Sequence, residues 1–370
     1  MGSDVIVVGA GVIGACIAYE LAKAGARVTV CDREAVGQAS RASAGMLAPL
    51  SEAEGPGPFL DLGLESLRLH RPLADELRER TGIDVGYRAS GLLRVALTDA
   101  DEVAVRRRRA WHMDAGFAVP WLDTARARDT EPVLSREIRG AAYYEQEHQV
   151  SAPLLTEAAL RAATDLGATV RMGLNVEGFV ASSRTVRGVR VPGETIHADE
   201  VVVAAGAWSG AFADLGAPLP IRAVRGQLVA LRTPGRALRH MLYSSAGYLN
   251  TKADGLTFVG STQEEAGFDA RSTAAGVATL LQYVARLTPD LTSATFSHVL
   301  AGLRPGSPDG LPLIGRVPEW SGISVATGHF RNGVLLAPIT AVLITDLLRH
   351  GRPRISLAPF DPARLTVAAR

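Results

Sequence analysis

A chain of 370 residues exceeds the roughly 250–300 at which a single hydrophobic core stops growing, so two domains are expected. With 39 Lys+Arg against 38 Asp+Glu and 47% apolar residues, the balance is that of an ordinary globular protein and leaves no cationic surplus for a phosphate backbone; nucleic acid is not an expected partner. The two cysteines, Cys16 and Cys31, are too few for a disulfide framework and are not spaced as a metal motif, so they read as small core residues in a reducing cytoplasm, and no metal site is expected. No stretch approaches the roughly 20 apolar residues of a spanning helix, so no membrane span is expected either.

The run Asp4 to Val8 is short and β-branched and leads into Gly9-Ala10-Gly11-Val12-Ile13-Gly14, after which Ala15 to Ala24 carries Ile17, Ala18 and Leu21 at helical spacing. Gly25 closes that helix, and Arg27 to Cys31 reads as a second buried strand ending at Asp32. Ser40 to Met46 is small and glycine-containing, suited to a loop or helix start where backbone approaches a ligand. Gly55-Pro56-Gly57-Pro58 marks a flexible connection before an amphipathic helix over 61–80. A strand over 91–97 precedes a charged helix holding Arg106 to Arg109; four consecutive arginines point around the whole circumference, which predicts a solvated helix. Ser151 reads as the N-cap of a helix running to about Leu166, followed by a strand over 168–172 and a Val-rich meander over 176–197. Val201 to Val203 then runs into Gly206-Ala207-Trp208 as a central strand of a parallel sheet.

A second strand-rich block follows, with Gln227 to Arg232, Gly247 to Thr251, Leu256 to Ser261 and a helix to about Leu287. The chain returns through 301–316 and 323–327 to a glycine turn at His329 and an apolar helix from Val334 to Leu348. The expected fold is α/β with an α+β insertion. A dinucleotide-binding domain is assembled from 1–85, 145–220 and 300–370, and a smaller substrate domain on a mostly antiparallel sheet from 86–144 and 221–299.

A Gly-x-Gly-x-x-Gly is weak alone, but here it follows a strand, opens a helix and is followed by an acidic residue at the next strand end. Gly9 permits the tight turn, Gly11 lets amides reach a pyrophosphate, and Gly14 lets helix and strand pack closely. Asp32 can accept the ribose hydroxyls and disfavours a 2′-phosphate. The blander alternative is that these glycines only punctuate a βα turn. The motif serves FAD and NAD alike; two further segments, Ser40 to Met46 and Gly328 to Gly333, are shaped to place amides on an anion or ring edge, and a mobile nicotinamide needs only one such cradle. FAD is the expected cofactor.

Six stretches, Val8 to Gly14, Ser43 to Leu47, Ala205 to Gly210, Ala301 to Gly306, Asp309 to Gly315 and Gly328 to Gly333, resemble in content and order the D-amino-acid oxidase superfamily of flavoproteins, and within it the glycine oxidase branch. The resemblance implies a Rossmann-like FAD-binding domain of that type. Around FAD it places Gly9, Gly11, Val12, Ile13, Gly14, Asp32, Arg33, Ser40, Arg41, Ala44, Gly45, Met46, Val176, Gly206, Trp208, His329, Phe330, Arg331, Asn332, Gly333, Val334 and Leu335. It implies Arg304 as the substrate-carboxylate arginine, whose planar fork fixes orientation as a lysine point charge does not, Tyr248 as a hydroxyl that helps hold the substrate, and Arg331 as a second arginine near flavin and substrate. The competing structural readings are a surface or domain-bridging Arg304, a half-buried sheet residue at Tyr248 and a helix-capping Arg331. His329 invites a general-base role, but the family needs none, and the residue reads as a backbone contact to the flavin.

The implied activity is oxidation of glycine, sarcosine or small D-amino acids with O2 as electron acceptor. Rivals are a dehydrogenase of the same fold that passes electrons to a quinone or protein, and a flavin-holding subunit of a larger complex. A homodimer or homotetramer is expected from the same resemblance. No cysteine lies in the flavin-facing segments of the substrate domain, so the FAD is expected to be non-covalent. Two departures bear on substrate: Leu249-Asn250-Thr251-Lys252 replaces the Pro-Arg pair of many relatives, and Gln263 stands near where a relative carries an apolar pocket residue.

Overall fold

The computed structural model describes residues 3–212, 219–233, 235 and 238–366. A six-stranded sheet has the order Leu313–Arg316, Ile323–Thr327, Glu200–Val203, Asp4–Val8, Arg27–Asp32, Thr169–Met172. Its pairings are parallel except at the Leu313–Arg316 edge. Because side chains alternate along a strand, the Asp4–Val8 run serves two cores. Val5 and Val7 pack with the helices Val12–Lys23, Ala152–Asp165 and Gly333–His350, while Ile6 and Val8 join Val201, Val203 and Val325 under a three-stranded antiparallel meander over 178–197. The Val-rich strand Glu200–Val203 lies next to Asp4–Val8, as its composition predicts.

The second sheet has eight strands in the order Thr295–Gly306, Arg222–Arg232, Leu256–Gly260, Gly247–Thr251, Met241–Ser244, Leu92–Ala96, Gly140–Tyr144, Trp121–Leu122. It is antiparallel apart from the Met241–Ser244 pairing with Leu92–Ala96. The amphipathic helix Ala274–Leu287 covers it with Leu280, Tyr283, Val284 and Leu287. Thr295–Gly306 runs unbroken through residue 300 and stays paired with Arg222–Arg232 along its length, so the segment carrying Arg304 belongs to this sheet. Register then fixes direction: Arg304 opposes Val224, Tyr248 opposes Gly260, which opposes Leu228, and Tyr243 opposes Tyr248. Val224 and Leu228 are an even number of residues apart, so Arg304, Tyr248 and Tyr243 share one face of the sheet.

Three sequence expectations are corrected. The helix Asp99–Asp114 is not simply solvated through Arg106 to Arg109. Arg108 donates to the Ala53 carbonyl and pairs with Glu54 at 2.9 Å, Arg109 Nε donates to the Val119 carbonyl at 2.6 Å, and Arg106 lies over the Trp121 ring at 4.0 Å. Ser151 holds the N-cap position of Ala152–Asp165, but its hydroxyl makes no capping bond. The segment Phe330–His350 is long and apolar enough to cross a membrane by length and composition; here two-thirds of it is buried inside the protein, against Val12–Lys23 and Pro58–Thr81.

Two buried histidines bond to residues of that core helix. His70 Nε2 meets the Leu335 carbonyl at 3.0 Å, and His329 Nε2 meets Thr340 Oγ1 at 3.1 Å. Burial lowers their pKa values to about 4 and about 3. A histidine in the unfolded chain titrates near about 6.5. As pH falls from there towards 4 the unfolded chain takes up protons that the folded chain refuses, and stability drops by up to about 1.4 kcal/mol per pH unit for each histidine. The unfolding midpoint is expected to fall between pH 7 and 5, and His70→Gln should flatten that slope; a midpoint constant over this range in the unsubstituted protein would contradict the assignment.

Candidate active site

A cavity of about 690 Å³ is walled by both sheets, within the range of small-molecule sites. At one end the strand Asp4–Val8 runs into Gly9, whose φ of +109° and backbone contact leave no room for a side chain, since a Cβ there would sit 2.4 Å from the Ala204 carbonyl oxygen. A Cβ on Gly14 would sit 1.9 Å from the Gly9 oxygen, so Gly14 does its work between turn and helix, off the cavity wall. The N-cap Gly11 offers the helix Val12–Lys23 no side-chain cap; the Val12 amide donates to Ser40 Oγ at 2.9 Å, and Gly11 to Ile13 at the helix start line the cavity. The helix Gly333–His350 also starts uncapped on the same wall, preceded by Phe330 in a left-handed conformation at φ +50°. Two such amide clusters, each at a positive helix end, suit a pyrophosphate and a flavin ring edge.

Asp32 does more than await a ribose. Its Oδ2 accepts from the Ala10 amide at 2.6 Å, and its Oδ1 accepts from the Glu34 amide at 2.5 Å and Gln38 Nε2 at 2.9 Å. The carboxylate thereby braces the glycine turn and keeps about one of its four acceptor positions for a ligand. Arg33 stacks over the Trp208 ring at 5.0 Å on the wall nearby. Asn250 Nδ2 donates to the Ala44 carbonyl at 2.8 Å, and Lys252 Nζ to the Val150 carbonyl at 3.0 Å, so the departures from the family's Pro-Arg pair brace the Ala44-Gly45 segment.

Of the residues expected around FAD, Gly9, Gly11, Val12, Ile13, Asp32, Arg33, Ser40, Ala44, Gly45, Met46, Val176, Gly206, Trp208 and His329 to Val334 line the cavity. Gly14, Arg41 and Leu335 do not. Arg41 points outward, 64% exposed and 3.7 Å from Glu34, and the Leu335 side chain is buried among the helices. Cys31 touches the wall next to Asp32, but burial pushes its thiol up to about 11, and that of Cys16 to about 12, so neither is a thiolate nucleophile near neutrality. Among the described residues no cluster of three His, Cys, Asp or Glu is placed to hold a metal.

At the other end of the cavity lie Arg304, Tyr248, Ser261 and Arg331. Arg304 Nη2 donates to Ser261 Oγ at 2.6 Å, and Nη1 to the Thr262 carbonyl at 3.1 Å and the Arg225 carbonyl at 3.4 Å. All three partners are neutral, so among the described residues the guanidinium meets no carboxylate. The guanidinium lies where a side chain at residue 226 would go: a Cβ on Gly226 would be 2.1–2.2 Å from its atoms. Likewise a Cβ on Gly260 would be 2.5 Å from Tyr248 Cζ. Burial pushes the Tyr248 phenol up to about 12, although Arg304 and Ser261 pull the other way, so near neutrality it is an O–H donor. Arg331 Nε donates to Glu52 Oε2 at 2.9 Å and Nη2 to the Tyr243 hydroxyl at 3.2 Å. Burial opposes its charge, but Glu52 and then Tyr243 more than offset that and raise the Arg331 pKa. The His329 ring is turned away to Thr340 and held neutral, so it is not placed as a base.

The site also uses residues that sequence reasoning misses. Glu52, Tyr243, Ser261, Gly226 and Gly260 carry no motif, and Glu52 lies in a four-residue helix, Pro49–Glu52, too short for any periodicity. A signal does exist for the two glycines, since a glycine inside a β-branched strand marks a close approach of another group.

The FAD dependent oxidoreductase family model (DAO) matches residues 4–347. The chain is 38% identical to glycine oxidase of Geobacillus kaustophilus over 98% of this chain and 97% of that one. The crystal structure of that enzyme superposes with a TM-score of 0.94, covering 98% of each chain at 37% identity. It is 34% identical to the hydrogen cyanide synthase subunit HcnC of Pseudomonas aeruginosa over 99% of both chains. The crystal structure of iminodiacetate oxidase from Chelativorans superposes with a TM-score of 0.90 at 30% identity, over 97% of this chain and 98% of that one. The chain therefore belongs to the D-amino-acid oxidase family of FAD dependent oxidoreductases and is an FAD-dependent amine oxidoreductase.

Proposed function

We propose that the protein oxidises glycine or a comparably small amine, such as sarcosine or a small D-amino acid, to the imine, which water hydrolyses to the 2-oxo acid and ammonia or an amine. FAD, held non-covalently by the glycine turn and the amides at residues 329–333, would supply the hydride acceptor, with dioxygen as the final electron acceptor, reduced to H2O2. The observation that carries this reading is Arg304, a half-buried guanidinium whose hydrogen bonds among the described residues go to neutral partners, beside the Tyr248 hydroxyl on the same cavity as the glycine turn at Gly9. Arg304 holds the substrate carboxylate through a two-pronged, charge-assisted contact, and Tyr248 adds a neutral hydroxyl donor. Together they fix the α-carbon's orientation, which is the main catalytic task when the hydrogen leaves as hydride. No side-chain base is needed if the amine binds neutral, because its lone pair stabilises the forming iminium; this agrees with a neutral His329 turned to Thr340. Free, protonated thiols at Cys16 and Cys31 accord with a cytoplasmic setting.

A second reading, transfer of electrons to another protein, is favoured by the 34% identity to a subunit of hydrogen cyanide synthase along the full chain. Mixing the purified flavoprotein with glycine, sarcosine and D-alanine in air separates the two. Bleaching followed by recovery with accumulation of H2O2 is expected. Bleaching that persists without peroxide would overturn the oxidase assignment in favour of another acceptor, and no bleaching with any of the three would overturn the substrate class.

Arg304→Ala removes one partner of a buried charge pair, a change that costs roughly 3–5 kcal/mol. At about 1.4 kcal/mol per decade this predicts a loss of about 10²- to 10³-fold or more in kcat/KM with the flavin spectrum retained. A loss under about tenfold would move the anchor elsewhere. Gly226→Ala tests the same contact without touching the arginine: its methyl displaces the guanidinium, and a misplacement of about 1 Å costs on the order of 10²-fold. Gly226→Ala enzyme with unchanged kcat/KM would show that the Arg304 geometry is not needed.

A further inference from the structure

Glu52 is a carboxylate on the cavity wall that the proposed reaction does not use. It ends the short helix Pro49–Glu52, which is held firmly in place: Glu147 Oε1 accepts from the Leu50 and Ser51 amides at 2.9 and 3.1 Å, and Arg94 Nη1 donates to the Ser51 carbonyl at 2.9 Å. The Glu52 side chain is 12% exposed and its Oε2 takes both Nε and Nη2 of Arg331. Tyr243, itself under the Arg94 guanidinium at 4.7 Å, accepts from the same Nη2. Two arginines therefore stand at this end of the cavity in different states, Arg331 neutralised by Glu52 and Arg304 meeting no carboxylate. Both charges of the pair act on the anchor, since Arg331 and Glu52 are among the groups that shift Arg304.

We infer that Glu52 sets the substrate class by occupying Arg331, so that the site takes amines bearing one carboxylate and rejects those bearing a second anionic group. This rests on the reading that Arg304 anchors a substrate carboxylate. A second carboxylate would have to be buried beside Glu52 or expel it from Arg331, and like charges brought together at a binding site are strongly unfavourable. With the Glu52 charge removed, the Arg331 fork becomes a second carboxylate receptor on the same wall as the first.

The test compares kcat/KM for iminodiacetate, a dicarboxylic secondary amine, with kcat/KM for glycine. In Glu52→Gln the ratio of iminodiacetate to glycine is expected to rise at least about tenfold, and Glu52→Gln with Arg331→Met should lose that gain. Arg331→Met alone leaves Glu52 unpaired on the wall and should lower the ratio by at least about tenfold; this arm stands even where Glu52→Gln fails to retain flavin. Ratios within about threefold of the unsubstituted enzyme in both single variants, with glycine still oxidised, overturn the inference and leave the Arg304 reading intact. An unsubstituted enzyme that oxidises neither compound, and whose flavin spectrum neither perturbs, overturns both.

Discussion

The site depends on a guanidinium lying flat against a β-strand, which is possible only where the strand has no side chain. Gly226 supplies that gap on Arg222–Arg232, and the register of the neighbouring strand brings Arg304 to it from the opposing position Val224. Once there, Arg304 is bounded by backbone carbonyls of Arg225 and Thr262, so those two segments must also be fixed. They are: Arg225 is paired with Glu264 and with Asp269 at 3.2 Å, and Gln227 donates to Glu264 Oε1 at 2.7 Å and accepts from the Thr273 amide at 2.7 Å. A half-buried ion pair beneath the sheet, formed by the buried Arg225 with partly exposed carboxylates, therefore serves the orientation of an arginine above it. Its worth is geometric, because a paired buried charge contributes little net stability compared with apolar residues of the same volume.

The electrostatic design is one of subtraction. Burial keeps His329 and the Tyr248 phenol uncharged near neutrality, and Glu52 cancels Arg331. Among the described residues lining this end, what is left without a carboxylate partner is the charge of Arg304, partly shielded from water, where a carboxylate contact is stronger than in bulk solvent. A site with several competing charges would bind carboxylates in several orientations. One charge, flanked by a neutral hydroxyl donor, permits one.

Most of the fold was legible because its core strands are short apolar runs with clear punctuation. Asp4–Val8, Arg27–Asp32 and Glu200–Val203 fall where β-branched density predicts, and the glycine turn announces its own geometry. The strand Met241–Ser244 was not legible, because four residues with a tyrosine among them resemble any loop, yet it carries Tyr243 into the site. The apolar helix was legible nearly to its ends, Val334 to Leu348 against the observed Gly333–His350. Among the site residues, motif-bearing ones reached the cavity, while those recruited by tertiary register alone, Ser261 and Glu52, had no local pattern to betray them. Arg41 shows the converse limit: it sits inside a recognisable ligand-facing stretch, yet its own side chain turns to solvent and Glu34.

The same cavity wall joins the two ends of the site. Helices Val12–Lys23 and Gly333–His350 pack against each other in the core and both present uncapped first turns to the cavity, so the two amide clusters are held at a fixed separation by apolar packing alone. Asp32, by accepting from Ala10, ties the turn at the first cluster to the end of the neighbouring strand Arg27–Asp32. The second cluster is continuous through Phe330 with Arg331, and Gly306 bridges to His329 at the end of the strand that carries Arg304. A chain of packed and hydrogen-bonded elements thus runs from the glycine turn to the guanidinium. On the proposed reading, an α-carbon held by Arg304 would be positioned relative to whatever the two helix ends hold, which is the condition that direct transfer of a hydride imposes.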